Sequence, residues 1–269
     1  MQINFGGREV TIKLVYYGPA LSGKTTNLRA LHQLTTEKSR GRLMTLETKD
    51  DRTLFFDMLP FVFRTEAEPK VATQPDGTSA ALPQRGQHQA ERSTSGMSLR
   101  VKIFTVPGQV LHAATRRLVL QGADGVAFIA DSQISETEHN AASFLDLRQN
   151  LSELGFSMKE MPLIIQFNKR DLPNVRSDAE IEALAKRGKE PVFRASAVAG
   201  QGVLESFFGL LHVTWRKLDT EHQLGKMVGI EHGSFLPMAA KQLGSNIDVP
   251  TLLSACVGGS IDRSSQVPT

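Results

Sequence analysis

The chain has 269 residues, of which 40% are hydrophobic and 22% are charged, and both values are ordinary for a globular protein. Its net charge of +3 is small for this length, so the composition gives no reason to expect nucleic-acid binding. The one cysteine, Cys256, excludes an internal disulfide framework and indicates a reducing compartment. Neither end resembles a secretion or lipidation signal, and no apolar run is long enough to span a bilayer. We therefore expect a cytoplasmic protein without a lipid anchor.

The first recognisable unit is a β-strand followed by a glycine-rich turn and a helix. Strand-forming residues occupy positions 10–17, the turn is Gly18-Pro-Ala-Leu-Ser-Gly-Lys-Thr25, and residues 25–36 have helical spacing. This order matches the phosphate-binding loop GxxxxGK(S/T), in which glycines let backbone N–H groups surround a polyphosphate. The N-terminus of the helix adds a partial positive charge. The sequence therefore predicts a nucleotide-phosphate site.

Two side chains of this loop have specific expected roles. Lys24 is expected to reach the β- and γ-phosphates, and the Thr25 hydroxyl is expected to ligate Mg²⁺. The predicted contacts to the nucleotide come from the loop and the start of the helix, namely Gly18, Ala20, Leu21, Ser22, Gly23, Lys24, Thr25 and Thr26.

The rest of the chain alternates between strand and helix patterns. Strands are predicted over residues 99–106, 125–130, 162–167 and 191–195. Helices are predicted around residues 144–154, from a capping box at Ser177 through Lys186 with Gly188 as the stop, and over residues 204–218. Repeated strand–helix units predict an α/β fold with a mostly parallel sheet and helices on both faces.

Two stretches break this alternation. Residues 66–96 are rich in Gln, Ser, Thr, Pro and Gly and have few large apolar side chains. We therefore predict a flexible insertion at about 65–97 within a domain that spans residues 1–219. From about Thr220 the pattern weakens, although residues 227–230 and 252–257 are apolar. This C-terminal extension, residues 220–269, is predicted either to hold a helix or two docked on the domain or to be a disordered appendage.

The base of the nucleotide is predicted from a second motif, Asn168-Lys169-Arg-Asp171, at the carboxyl end of a predicted strand. It has the NKxD pattern of guanine-binding loops. An aspartate there accepts hydrogen bonds from guanine N1–H and the 2-amino group, a pair of donors that adenine does not offer. Asn168 is expected to brace the loop, and the stem of Lys169 is expected to lie along the base. Ser196 and Ala197, after the next strand, are further candidates, with the Ala197 N–H directed to guanine O6.

A third motif, Thr105-Val-Pro-Gly108-Gln109, ends the strand predicted over residues 99–106 and has the layout of a loop that senses the γ-phosphate. In such loops the N–H of Gly108 would bond a γ-oxygen, and Gln109 would orient the attacking water. Standing alone, the motif would instead favour a Pro-Gly turn between a strand and a helix.

Together these motifs resemble the MglA family of bacterial Ras-like small GTPases. The similar segments are VYYGPALSGKTTNL, DDRTLFFDMLP, TVPGQV and IIQFNKRDLP, and the resemblance covers roughly residues 3–63 and 99–218. It implies a Ras-like P-loop NTPase fold and an Mg²⁺-dependent GTPase that binds GTP and GDP. It also implies control of cell polarity or gliding motility and concentration at a cell pole. The implied partners are a Roadblock-type activator similar to MglB and cytoskeletal or motility effectors.

The resemblance also implies roles for a switch-loop pair, Arg52 and Thr53. The family's arginine acts as a finger supplied in cis, and its threonine senses Mg²⁺ and the γ-phosphate. Arg52, Gln109 and Lys24 then form the predicted catalytic set, and Thr53 joins Thr25 as a predicted metal ligand. An arginine delivered to the phosphate oxygens accelerates related reactions by about 10³–10⁵.

Two residues depart from the usual Ras-like pattern. Ala20 stands where relatives usually have glycine, and its methyl group is expected to point toward the space that Gln109 and Arg52 must share. We therefore predict slow turnover. Thr105 stands where most Ras-like proteins have the Mg²⁺-supporting aspartate, a substitution that the MglA family shares. A neutral hydroxyl supports the Mg²⁺ waters less strongly than a carboxylate does.

Three functions stay open from the sequence. The first is a GTP-hydrolysing switch, which Arg52 and Gln109 favour. The second is a GTP-loaded scaffold with very slow or no hydrolysis that recruits cytoskeletal or polar partners, which Ala20, the insertion and the extension favour. The third, an ATP-using kinase or ATPase, conflicts with the guanine motif that contains Asn168 and Asp171.

Overall fold

The computed structural model describes residues 1–46, 56–64, 97–107, 113–231 and 233–256. Its strands are β1 (Gln2–Asn4), β2 (Glu9–Tyr17), β3 (Met44–Leu46), β4 (Phe56–Phe63), β5 (Ser98–Thr105), β6 (Gly125–Asp131), β7 (Leu163–Asn168) and β8 (Val192–Arg194). Its helices are α1 (Lys24–Leu34), α2 (Ala113–Leu120), α3 (Thr137–Glu153), α4 (Asp178–Arg187), α5 (Val203–His222), α6 (Leu224–Val228), α7 (Phe235–Gln242) and α8 (Val249–Cys256). In this part of the chain, no helix has the length and apolar character that crossing a bilayer requires.

The strands form one sheet whose middle is parallel. Within the described ranges the order is β3-β4-β5-β2-β6-β7-β8, and β1 pairs with the beginning of β2. The strands β5, β2, β6, β7 and β8 run parallel, as expected for strands joined by crossover connections. The strands β4 and β3 add an antiparallel edge beside β5. The predicted α/β fold with a mostly parallel sheet is confirmed.

Helices cover both faces of the sheet, so that alternate side chains of β2 belong to two different cores. Leu14 and Tyr16 are fully buried in the core that they form with α1, α5 and the C-terminal helices. Val15 and Tyr17 are fully buried in the core that they form with α2, α3 and α4. A strand buried on both faces reads as a continuous apolar run, and every residue of β6 is buried.

The predicted strands are present with small shifts at their ends, and two helix ends are informative. The helix α4 begins with the predicted capping box, in which the Ser177 hydroxyl accepts the Glu180 N–H and the Glu180 carboxylate accepts the Ser177 N–H. The helix α1 ends at Leu34, whereas the prediction extended it to Thr36. The difference arises because Thr35 adopts an extended backbone conformation.

The sequence does not predict the antiparallel pair β3–β4. The segment of β4 contains Pro60 and apolar residues at nearly every position, so its alternation is hidden. In the structure alternate residues of β4 are buried, and the strand pairs with β5 along most of its length. The strand β4 is therefore recognisable from its pairing with β5 and not from its own residue pattern.

The described part of the C-terminal extension is helical and packs on the main core. The helices α6, α7 and α8 share the hydrophobic core of α1 and α5. Trp215 of α5 stacks on Phe235 of α7, with ring centroids 3.9 Å apart. The proposed domain boundary at residue 219 stays a prediction. Residues 65–96 of the predicted insertion and residues 257–269 of the extension lie outside the described residues.

Candidate functional site

The predicted phosphate-binding loop connects the end of β2 to the start of α1. Gly18 has φ 144°, and a Cβ atom there would lie 2.2 Å from the Ile129 carbonyl oxygen. Gly23 has φ 96°, and its Cβ would lie 2.1 Å from Nδ2 of Asn168. Both positions require glycine, because a side chain would be strained and would collide with the end of a neighbouring strand. The loop is thus shaped by close approach to β6 and β7.

Lys24 begins α1 and is 7% exposed. Its Nζ donates hydrogen bonds to the carbonyl oxygens of Gly18 (2.9 Å) and Pro19 (2.6 Å), so the ammonium group lies against the loop backbone. Burial lowers the pKa of Lys24 to about 7, with the positive charge of Arg116 as a smaller cause. Anionic phosphate oxygens beside this group would favour its charged form, which is the chemistry expected at a polyphosphate site.

Thr25, the predicted Mg²⁺ ligand, donates a hydrogen bond from Oγ1 to Oδ2 of Asp57 at 2.5 Å. Asp57 lies on β4 and is 8% exposed. Its backbone N–H donates to Oγ1 of Thr105 (2.9 Å), and the Thr105 hydroxyl donates back to Oδ2 at 3.3 Å. Thr45 donates to the other carboxylate oxygen at 2.8 Å. A carboxylate and three hydroxyls therefore gather at the N-terminus of α1, an all-oxygen set that suits Mg²⁺.

Sequence reasoning missed Asp57. The residue lies in the motif DDRTLFFDMLP, but its partner Thr105 is 48 residues away. The two meet because β4 and β5 are antiparallel neighbours, with Met58 opposite Phe104. The sequence does contain a signal for Asp57, which is the neutral residue at position 105. Because Thr105 stands where an aspartate is expected, the predicted metal site needs a carboxylate from another residue.

The predicted guanine loop is tied to the phosphate loop. Asn168 ends β7, is buried, and donates from Nδ2 to the Ser22 carbonyl oxygen at 2.8 Å. Its Oδ1 accepts a hydrogen bond from the Ala197 backbone N–H at 3.0 Å. Asn168 therefore joins the phosphate loop to the segment that follows β8. The Ala197 N–H, which was expected to be directed to guanine O6, donates to Asn168 in this structure.

Asp171, the predicted guanine acceptor, is exposed, and its Oδ1 accepts a hydrogen bond from the Ser196 hydroxyl at 2.5 Å. This bond orients the carboxylate and leaves the side chain accessible to a base. Lys169 has φ 65° and forms an ion pair with Asp131 at the end of β6, with Nζ and Oδ2 2.6 Å apart. Asp131 is 3% exposed, so the pair holds the lysine stem at the edge of the sheet.

A buried polar chain connects α1 and α5 through β7. Gln166 of β7 donates from Nε2 to Oδ1 of Asn27 and to Oγ of Ser206, each at 2.9 Å. Asn27 donates to the Gly23 carbonyl oxygen at 3.0 Å, and Ser206 donates to the Gly202 carbonyl oxygen at 2.6 Å. Because buried polar groups are costly unless they are bonded, this chain favours one arrangement of α1 and α5. No motif in the sequence points to it.

Ala20 and Leu21 are exposed on the phosphate loop, and Thr26 is half-buried in the first turn of α1. A cavity of about 520 Å³ lies beside Ala20 and Leu21 and is also lined by Arg116 of α2 and Asp146 of α3. The side chains of Arg116 and Asp146 form an ion pair at 2.9 Å. This pair ties α2, the helix that follows the predicted γ-phosphate loop, to α3.

Four predicted site residues lie outside the described residues, namely Arg52, Thr53, Gly108 and Gln109. The first two belong to the segment between β3 and β4, and the other two belong to the segment between β5 and α2. Their roles stay predictions.

Comparison with known proteins identifies the family. No protein-family profile matches the chain. The mutual gliding-motility protein MglA of Myxococcus xanthus (strain DK1622) is 39% identical to it over 204 residues, which cover 76% of this chain and 90% of that protein. Identity of this size over most of both chains indicates a common fold, and the predicted Ras-like P-loop fold is confirmed. The chain therefore belongs to the MglA family, as its motifs predicted.

Proposed function

We propose that the chain is an Mg²⁺-dependent switch that binds GTP and hydrolyses it to GDP and phosphate. Membership of the MglA family supports guanine-nucleotide binding and small-GTPase activity. The observation that carries the proposal is the 2.8 Å hydrogen bond from Asn168 to the Ser22 carbonyl oxygen, which holds the guanine motif beside the phosphate loop. A base and a polyphosphate that share one ribose need their two binding loops at a fixed separation.

Selectivity for guanine is assigned to Asp171. Ser196 orients its carboxylate at 2.5 Å, and the exposed side chain is available to the N1–H and 2-amino donors of guanine. Adenine offers no such pair of donors, so binding it would leave a desolvated carboxylate unpaired. Asn168, Lys169 and Ala197 complete the proposed base site.

Mg²⁺ is proposed to bind at the N-terminus of α1. Thr25 and Thr53 are the proposed direct ligands, and Asp57, with Thr105 beside it, is proposed to accept hydrogen bonds from metal-bound water. This assignment adds Asp57 to the predicted metal set. When bound, the ion neutralises charge on the β- and γ-phosphates.

Hydrolysis is proposed to depend on three side chains. Lys24 holds the β- and γ-phosphates, Gln109 orients the attacking water, and Arg52 neutralises the charge that grows on the phosphate oxygens in the transition state. Gly108 donates its N–H to a γ-oxygen. Loss of the γ-phosphate removes the bonds that hold the Arg52 and Gly108 segments, and this release is the proposed change of state.

The cellular role is proposed from the family. The name of the Myxococcus xanthus relative supports a role in gliding motility. Control of cell polarity and a cytoplasmic location concentrated at a cell pole are proposed together with that role. A Roadblock-type activator similar to MglB is proposed to bring Arg52 into place without donating an arginine of its own. Cytoskeletal or motility proteins are the proposed effectors. Residues 1–219 are proposed as the GTPase domain and residues 220–269 as its extension.

A second candidate function is a GTP-loaded scaffold with very slow or no hydrolysis. Ala20 favours it, because this exposed residue puts a methyl group on the phosphate loop, where Gln109 and Arg52 are proposed to act. The helices of the extension offer additional surface for partners. The two candidates share the nucleotide site and differ in turnover.

Analysis of the nucleotide that copurifies with the protein tests the proposal. The protein is purified in Mg²⁺ buffer and denatured, and the released nucleotides are separated by chromatography. We expect stoichiometric guanine nucleotide, mainly GDP for the switch and mainly GTP for the scaffold. No guanine nucleotide, together with no affinity of the Mg²⁺-replete protein for GDP or GTP, would overturn both candidates.

A further inference from the structure

The end of α7 contacts two segments that lead toward the proposed nucleotide site. One segment is the connection between α1 and β3, residues 35–43, and the other is Arg64, the residue that follows β4. Residues of the first segment and Met238, Lys241 and Gln242 of α7 also line one cavity of about 800 Å³. The helix α7 therefore contacts the segments next to α1 and β4, the two elements that carry Thr25 and Asp57.

Gln242 pairs with the main chain of Arg64 through both polar atoms of its side-chain amide. Its Oε1 accepts a hydrogen bond from the Arg64 N–H at 3.2 Å, and its Nε2 donates to the Arg64 carbonyl oxygen at 2.6 Å. A neighbouring strand would make the same pair of bonds, so Gln242 continues the pairing of β4 beyond Phe63. A side-chain amide supplies a donor and an acceptor on neighbouring atoms, so Gln242 can bond both polar groups of the Arg64 main chain at once.

Gln242 also holds the connection between α1 and β3. Its backbone carbonyl oxygen accepts hydrogen bonds from the hydroxyls of Thr36 (3.0 Å) and Ser39 (2.9 Å), and the Leu243 carbonyl oxygen accepts the Thr36 N–H at 3.0 Å. The Ser39 carbonyl oxygen in turn accepts the Val62 N–H of β4 at 2.8 Å. The connection, the strand and the end of α7 thus form one hydrogen-bonded cluster around Gln242.

Apolar packing fixes α7 in this position. Phe63, the last residue of β4, makes an edge-to-face contact with Phe235 of α7, with ring centroids 5.8 Å apart. Phe235 also stacks on Trp215 of α5. Phe63, Phe235 and Leu243 are all buried. Because aromatic burial of this kind is strongly stabilising, a firmly packed helix presents the Gln242 amide to Arg64.

The strand β4 connects this cluster to the proposed metal site. Arg64 follows one end of the strand, and Asp57, which is bonded to Thr25, lies near the other end. Roughly 23 Å of extended chain separates them. On the outer edge of β4, beyond the short strand β3, the Gly41 N–H donates to the Pro60 carbonyl oxygen at 2.8 Å. The connection that Gln242 holds is therefore also bonded to the middle of β4, on the side opposite to β5.

We propose that Gln242 is a positioning residue for the metal site, because it holds β4 and the α1–β3 connection so that Asp57 stays beside Thr25. The inference rests on the proposed function, since it concerns the Mg²⁺ site of the same nucleotide pocket. It makes the C-terminal helices part of the nucleotide-binding unit. Without the amide, the main chain of Arg64, directly after β4, loses both of its hydrogen bonds to Gln242, and Asp57 is held less firmly.

A merely structural role for Gln242 leads to a different expectation. If the residue only anchors α7, its loss would loosen the C-terminal helices and leave Mg²⁺ binding unchanged. Measurements on β4 and on Mg²⁺ dependence separate the two roles, whereas thermal stability alone would not.

The test compares Gln242→Ala and Gln242→Glu with Lys241→Ala in the full chain. Lys241 is the exposed neighbour on the same helix, so its variant controls for a general disturbance of α7. Glutamate keeps the size of the side chain, but a carboxylate cannot donate to the Arg64 carbonyl oxygen. The readouts are amide hydrogen exchange of residues 57–63 and the Mg²⁺ concentration that gives half-maximal retention of a fluorescent GDP analogue.

Both Gln242 variants are expected to speed amide exchange in β4 and to raise the half-maximal Mg²⁺ concentration, each by about tenfold, the scale of lost neutral hydrogen bonds. Lys241→Ala should behave like the parent protein. Unchanged Mg²⁺ dependence in both Gln242 variants, or the same shift in Lys241→Ala, would overturn the inference. If the parent protein did not bind the analogue at all, the proposed function would fail, and exchange in β4 would then decide alone whether Gln242 positions the strand.

Discussion

The hydroxyl of Thr25 and the carboxylate of Asp57 are joined by a hydrogen bond of 2.5 Å at the N-terminus of α1. The carboxylate belongs to β4, whereas the β5 position that carries an aspartate in most Ras-like proteins is Thr105 here. Thr105 contacts the same carboxylate oxygen at 3.3 Å. The carboxylate of the proposed metal site is thus supplied by β4, the antiparallel neighbour of β5, instead of by β5 itself.

Replacement of Asp57 by asparagine should weaken Mg²⁺ binding. The variant keeps the size of the side chain and removes its charge, and losing a hydrogen bond to a charged group costs about 1.5–3 kcal/mol, or roughly 10- to 100-fold in affinity. We expect Asp57→Asn to raise by that factor the Mg²⁺ concentration that retains bound GDP. Release of a fluorescent GDP analogue during an Mg²⁺ titration measures the change.

A compensating substitution should restore the Mg²⁺ affinity that Asp57→Asn loses. Because Thr105 touches the Asp57 carboxylate, the double variant Asp57→Asn, Thr105→Asp should recover most of the lost Mg²⁺ affinity. Thr45→Val removes only the bond to the other carboxylate oxygen and should have a smaller effect. Unchanged Mg²⁺ dependence in Asp57→Asn would exclude this residue from the metal site.

Asp171→Asn should shift the preferred base from guanine to xanthine. The new amide group donates to the xanthine 2-oxo group, where the carboxylate accepted the guanine 2-amino group. We expect GDP affinity to fall by about 100-fold or more, since a charged hydrogen bond is lost, and the xanthine nucleotide to compete better than GDP. Competition by GDP, XDP and ADP against a fluorescent nucleotide measures the preference.

Asp178→Asn is the control for this substitution. Asp178 is an exposed aspartate that pairs with Arg170 at 2.8 Å, and it lies outside the proposed base site. Its variant should keep the preference for guanine. A guanine preference that survives in Asp171→Asn would contradict the assignment of the base site.

Ala20→Gly should accelerate GTP hydrolysis. Removing the methyl group opens the space proposed for Gln109 and Arg52, and a tenfold gain corresponds to about 1.4 kcal/mol off the barrier, which is the size of effect that we expect. Single-turnover hydrolysis of GTP by the variant and the parent measures it. Ala141→Gly, which removes one methyl group from an exposed position of α3, should leave the rate unchanged. Equal rates for Ala20→Gly and the parent would contradict the interpretation that the Ala20 methyl group slows hydrolysis.

Nucleotide binding should take up a proton at Lys24 above neutral pH. In the free protein burial lowers the Lys24 pKa to about 7, so at pH 8 the group is mostly neutral. Phosphate oxygens favour the charged form and raise this pKa in the complex. Affinity should therefore fall as pH rises above 7, by up to about tenfold per pH unit, until the pKa of the complex is reached.

Calorimetry in two buffers of different ionisation enthalpy measures this uptake directly. At pH 8 we expect nearly one proton to be taken up per nucleotide bound. Lys24→Arg should bind without this uptake, because a guanidinium stays charged throughout the range. No difference between the two buffers for the parent protein would show that Lys24 is already charged before the nucleotide arrives.

Much of the proposed site could be predicted because its motifs are contiguous. The turn from Gly18 to Thr25 and the run from Asn168 to Asp171 act through backbone shape and side chains a few residues apart, which the sequence displays directly. Buried parallel strands such as β6 are also recognisable, since both of their faces are covered and every residue before Asp131 is apolar or glycine. The family followed from the same local patterns.

Contacts between distant segments could not be predicted in this way. Asp57 and Thr105 are 48 residues apart, and Gln242 and Arg64 are 178 residues apart. Both contacts depend on β4, whose alternation is hidden by its apolar composition and by Pro60. The helices after residue 223 have weak patterns by themselves, and their positions follow from contacts such as Phe63 with Phe235.

The sequence by itself determined the α/β sheet and the family, and it predicted the loop for phosphates and the loop for guanine that this sheet carries. Only the tertiary structure decided which carboxylate lies beside Thr25 and which strand the C-terminal helices hold. The physical reason is the range of the interactions. Loop chemistry depends on residues close together in the chain, whereas the positions of Asp57 and Gln242 depend on strand pairing and core packing between segments far apart in it.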